Sequence, residues 1–187
     1  MNLNEWFEKG MDPDTYIESM RENKQNLLHI YDAYTPPEDS AFMQQLSSQN
    51  LRVIVLTEDW CGDAMLNIPI LLRTAEQANM PVKLLLRDDN LDLMDQYLTN
   101  GQSRSIPIFI FIDENGNEVA KWGPRAEKIQ QFVNESQNNL PPKDDDTYKE
   151  KANEMYLFMS KSFRDNTDFW ETVYTSIRST LKSALNL

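Results

Sequence analysis

Trp60-Cys61-Gly62-Asp63-Ala64 holds the single cysteine of the chain, so any thiol chemistry passes through Cys61. An apolar run from Leu51 to Leu56 precedes it, and Met65, Ile68, Leu71, Leu72 and Ala75 follow at helical spacing. That pattern puts the thiol where a strand gives way to a helix. The first turn of a helix offers unpaired N–H groups and the positive end of the macrodipole, which favour thiolate, the nucleophilic and metal-ligating form. Glu58, Asp59 and Asp63 act in the other direction, because a negative neighbour disfavours a second anion. The expectation is an accessible, reactive thiol whose nucleophilicity is tempered by acidic neighbours.

Little else in the chain supplies chemistry. A structural zinc site needs four ligands, and the chain has Cys61 and the lone His29, which falls within a predicted helix. No glycine-rich phosphate loop occurs, and Trp6, Trp122 and Trp170 read as packing residues. The residues imply no metal and no resident cofactor. A net charge of −12, with no block of Lys or Arg, argues against nucleic acid and anionic membrane surfaces as partners. The amino terminus lacks a basic segment followed by an apolar one, and no stretch approaches the ~18 apolar residues of a membrane span. One cysteine also excludes an intrachain disulfide framework, so a cytoplasmic protein is expected.

The elements that position Cys61 follow from periodicity. Residues 12 to 33 read as one helix, capped by Asp12 or Asp14 with Pro13 in its first turn. Pro36-Pro37 ends it, and a shorter helix from about Asp39 to Leu46 follows. Leu51–Leu56 has the continuous apolar character of a central buried strand. Pro81–Leu86 is a second strand, Asp88-Asp89-Asn90 caps a short helix through Leu98, and Ile108–Ile112 with Glu118–Trp122 forms a hairpin around Asp113–Asn117. A helix from about Arg125 to Gln137 turns Ile129, Phe132 and Val133 to the sheet. After a polar stretch with Pro141-Pro142 and three aspartates, Tyr148–Phe163 and Thr167–Leu185 carry the spacing of an antiparallel helical hairpin. The organisation is a helical extension (1–50), an α/β unit (51–138) and a linker with carboxy-terminal helices (139–187), packed as one globular unit. The terminal helices could alternatively serve as an interaction or homodimer surface.

The order of these features resembles the thioredoxin-like superfamily, and more narrowly the bacterial proteins known as thioredoxin family proteins. The resemblance covers roughly Leu51 to Gln137. It rests on the strand ending in Trp60-Cys61-Gly62, on Pro69 eight residues after the cysteine, on Ile106-Pro107 before the next apolar strand, and on Gly123 after the last. It implies an α/β fold, a three-layer α/β/α sandwich about a mixed sheet, with a cis Pro107 facing Cys61. It also implies that Ile106 and Pro107 pair through their backbone with an extended substrate segment. Trp60 would then form the exposed rim, Gly62 would permit close approach, Asp63 would be free to cap the helix or bind water, and Gly123 would leave room beside the groove.

Two departures from the family pattern constrain mechanism. Ala64 occupies the place of the resolving cysteine, and Val55 that of a buried acid. A mixed disulfide on Cys61 must therefore be broken by a thiol from outside the chain. The expected function is single-cysteine thiol–disulfide exchange on protein or low-molecular-weight mixed disulfides, with Cys61 as nucleophile; the expected partners are a disulfide-bearing protein or low-molecular-weight thiol and an external resolving thiol. The alternatives are a non-catalytic binding module with the same groove and, by likeness to monothiol glutaredoxins, iron–sulfur ligation in a dimer.

Overall fold

The computed structural model describes residues 2–187. Its centre is a four-stranded sheet in the order β2-β1-β3-β4, formed by β1 (Arg52–Thr57), β2 (Val82–Leu86), β3 (Ile108–Ile112) and β4 (Glu118–Trp122). β1 runs parallel to β2 and antiparallel to β3, and β3 runs antiparallel to β4. The two inner strands are the most apolar in the sequence, and all of β3 and all but Arg52 of β1 are buried. β4, an edge strand, instead exposes Glu118 and Lys121 and buries Ala120 and Trp122. This is the mixed sheet that the resemblance implies, in an α/β fold.

α5 (Gly62–Gln77) leaves β1 through Cys61 and passes Pro69 without ending. The proline costs one helical hydrogen bond, and the helix withstands that loss because almost every side chain from Asp63 to Ala75 is buried. α3 (Lys24–Ala33), α8 (Tyr148–Asp165) and α9 (Thr167–Leu185) pack on α5, and α9 also covers β4. The arms of the carboxy-terminal hairpin thus lie mainly on the body of the molecule, and one hydrophobic cluster runs from Leu3 to Leu181. In α7 (Glu127–Asn138), Ile129 and Val133 are buried as expected, but Phe132 turns to Phe158, Phe163 and Phe169 of the terminal helices instead of the sheet.

The amino-terminal region departs most from expectation. α1 (Leu3–Lys9), capped by the Asn2 side chain, buries Leu3 and Phe7 and was not anticipated. Met11 exchanges backbone hydrogen bonds with Leu84 at 2.8 and 2.9 Å, so this segment covers the free edge of β2. The single helix expected over 12–33 is two, α2 (Pro13–Ser19) and α3, separated by Met20–Asn23. The cause is tertiary: the amides of Arg21 and Glu22 donate to the Asp59 carboxylate at 2.8 and 3.3 Å, and Asn23 adopts φ 56° while its side chain donates to the Asp59 carbonyl. α4 (Ser40–Ser47) is capped by Asp39. The helix expected to reach Leu98 is only α6 (Leu91–Met94), because Gln96 and Tyr97 bond three residues back and tighten the chain into turns.

Candidate functional site

Cys61 is the N-cap of α5, and the amides of Asp63 and Ala64 lie close enough to favour its thiolate. Burial outweighs them. The residue is 8% exposed, and desolvation, reinforced by the charge of Asp63, pushes the thiol up to about 11. The accessible, reactive thiol expected from the helix start is therefore a shielded and protonated one. Its Sγ–H donates to the Ile106 carbonyl at 3.4 Å, a bond that only the neutral thiol can make.

Ile106-Pro107 is a cis peptide, and Ile106 carries the acceptor of the thiol. A second cis peptide, Gly123-Pro124, follows β4. Gly123 has φ 123°, and a Cβ there would lie 2.2 Å from the Pro107 carbonyl oxygen, so the space beside Gly123 is filled by the Pro107 backbone. Gly62, by contrast, faces open space. Trp60 is 46% exposed, with the Arg87 guanidinium 5.0 Å over its ring, and Arg87 also donates to the Arg104 carbonyl ahead of Ile106. Trp60, Cys61, Ile106 and Pro107 are thus brought to one end of the sheet.

The acidic neighbours have separate fates. Glu58 accepts from the Asp88 amide at 2.9 Å, and Asp59 faces the α2–α3 junction. Asp63, expected to cap or bind water, is buried and held fork-to-fork by Arg125, with Nε–Oδ1 and Nη2–Oδ2 both 2.6 Å. Ala64 and Val55 are buried. His29 lies edge-on to Trp170 on α9, and Trp122 stacks on Phe109 while its indole N–H donates to Ser176.

Three residues of the site were missed from sequence. Arg125 is distant in the chain from its partner, and only the fold joins it to Asp63. Tyr16 of α2 is buried with its hydroxyl 3.3 Å from Thr57 Oγ1, beneath the cysteine loop, and burial holds its phenol well above the ordinary range. Asp59 reads as one more acidic residue, yet it fastens the loop to α2 and α3. Asp59→Ala leaves two backbone amides without that acceptor, and denaturant titration is expected to show a loss of about 1–3 kcal/mol.

Among the described residues no group of three or more His, Cys, Asp or Glu could hold a metal ion, and no helix is long and apolar enough to cross a membrane. A family model described as thioredoxin matches residues 10–140, beginning well ahead of Leu51 and taking in α2 to α7. No curated protein matches. Among solved structures the chain is similar to an HIV epitope-scaffold, at 15% identity and TM-score 0.66, over 100% of this chain and 98% of that one. It is also similar to a protein of unknown function from Pseudomonas aeruginosa, at 16% identity and TM-score 0.61, over 94% of this chain and 98% of that one. At such identities these likenesses concern the fold, here over nearly the whole length of each chain.

Proposed function

The chain belongs to the thioredoxin family, and from that premise we propose that it is a single-cysteine thiol–disulfide exchange protein. Cys61 thiolate attacks one sulfur of a disulfide R–S–S–R′, giving Cys61–S–S–R and releasing R′S⁻. An external thiol R″SH then attacks that mixed disulfide, restoring Cys61 and releasing R–S–S–R″. Ala64 rules out internal resolution, so turnover follows the concentration of the external thiol. A reducing compartment such as the cytoplasm provides it.

The observation that carries this reading is the hydrogen bond from Cys61 Sγ to the Ile106 carbonyl. An extended substrate pairing with the backbone at Ile106-Pro107 would use that same carbonyl as an acceptor. A substrate N–H that competes for it weakens the hold on the neutral thiol, while the amides of Asp63 and Ala64 still favour the thiolate. Docking and ionisation are then coupled, and a resting protein with little thiolate becomes reactive where a substrate is bound.

A second reading, a binding module without turnover, is favoured by the burial of Cys61 and its raised pKa. The two separate on one comparison. With a mixed disulfide of glutathione and a peptide, and excess glutathione as resolver, the parent protein should accelerate reduction and accumulate a disulfide adduct visible by intact mass. Cys61→Ser should do neither. Equal reduction rates for parent and variant would refute the exchange reading, and retained peptide binding by the variant would then favour the module.

A further inference from the structure

We propose that Arg125 is a positioning residue of the thiol site, its bidentate clasp on Asp63 setting one fixed charge of each sign at the first turn of the helix that bears Cys61. The consequence for turnover rests on the exchange reading above, whereas the pair itself rests on geometry.

Asp63 lies two residues beyond Cys61 on the first turn of α5, with its carboxylate almost wholly withdrawn from water. Both its oxygens are taken by the one guanidinium, in the planar bidentate arrangement that fixes orientation as well as distance. The remaining arm of Arg125, Nη1, donates to Gln130 at 2.9 Å, and Gln130 donates on to Asn134 at 2.8 Å, so the guanidinium is braced from α7. One turn further along α5, the fully buried Asn67 donates to the Pro124 carbonyl at 3.0 Å. Residues 123–125 are therefore sewn to the first two turns of α5 at Asp63 and Asn67, while Gly123 lies on the Pro107 carbonyl. One short loop touches both halves of the site: the helix that bears the thiol and the segment that bears its acceptor.

This arrangement puts two fixed charges of opposite sign beside Cys61, and their effects on it oppose each other, with that of Asp63 the greater. The other ionisable groups around the loop are otherwise engaged. Tyr16 from α2 is a neutral phenol bonded to Thr57, Glu58 accepts from Asp88, and Asp59 accepts from Arg21 and Glu22. Arg87, above Trp60, is paired with Asp88. Burial, the larger effect, raises the carboxyl of Asp63, and the guanidinium of Arg125 opposes that rise.

The test is the pH midpoint of Cys61 alkylation by iodoacetamide, a neutral reagent, read through the alkaline range. Asp63→Asn keeps the shape and removes the charge, and its midpoint should fall by about one pH unit. Arg125→Gln should raise the midpoint by about half a unit, and Arg125→Lys, which keeps the charge, should stay near the parent. A merely structural role predicts another pattern. Breaking the clasp from either side would admit water, and both midpoints would fall together. That common fall, or an unmoved midpoint in Asp63→Asn, overturns the proposal. If Asp63→Asn does not fold, the Arg125 variants decide alone: a rise with Gln against none with Lys supports the pair, and equal shifts overturn it. Because no disulfide is used, failure of the exchange reading in the Cys61→Ser comparison would leave these midpoints standing.

Discussion

Between pH 7 and 10 the alkylation rate of Cys61 by a neutral reagent should rise about a thousandfold, roughly tenfold per unit, without a plateau. The reason is the thiol's pKa of about 11, set first by burial and then by Asp63. A thiol tuned for attack, with a pKa of about 7 or below, would reach its plateau near neutrality. A less acidic thiol gives a more nucleophilic thiolate, which recovers part of the deficit. With a Brønsted slope of about 0.4–0.5, unassisted exchange at pH 7 should be roughly twentyfold slower than that of an exposed cysteine. A plateau below pH 8 would show that the thiol is not held neutral. The same shift acts on stability. The folded state binds this proton more tightly than the unfolded chain, so Cys61 contributes its full stabilisation below about pH 8.5, the ordinary thiol value, and loses it as pH rises towards 11. Cys61→Ser should therefore flatten that part of the stability profile.

Gly123→Ala should destabilise the fold by roughly 3 kcal/mol or more, measured by chemical denaturation. Two costs combine. The residue has φ 123°, where side chains other than glycine are strained, and the new Cβ would lie 2.2 Å from the Pro107 carbonyl oxygen. The atom in the way is backbone, held between β3 and the loop after β4, and cannot rotate aside as a flexible side chain would. Relief requires the Pro107 and Gly123 segments to separate, which would also move the acceptor of Cys61. The variant should accordingly alkylate faster than the parent at a given pH, and a loss under 1 kcal/mol would mean that the two segments part easily. The missing side chain at Gly123 lets one loop pack directly on the other.

The sheet and its flanking helices were legible because β1, β3 and α5 carry their burial in the pattern of their own residues. Leu51–Leu56 and Ile108–Ile112 are apolar runs, and Met65, Ile68, Leu71, Leu72 and Ala75 repeat at helical spacing. The cis peptide at Ile106-Pro107 was legible only through family likeness, since local chemistry favours trans. The break between α2 and α3 was not legible. The segment has helical spacing throughout, and the competing acceptor, Asp59, is 38 residues from Arg21. The thiol's state failed for a related reason. A helix start can be inferred from sequence, but desolvation depends on everything packed around the sulfur, and it outweighed the N–H groups that the helix start supplies. Arg125 was hidden in the same way, 62 residues from Asp63.

The cysteine loop has its moorings off the sheet. Asp59 is fastened to Arg21, Glu22 and Asn23, and Tyr16 meets Thr57 where β1 ends. The thiol is therefore placed by the amino-terminal helices as much as by the strand that leads to it. The junction between α2 and α3 is thereby tied to the backbone two residues before Cys61.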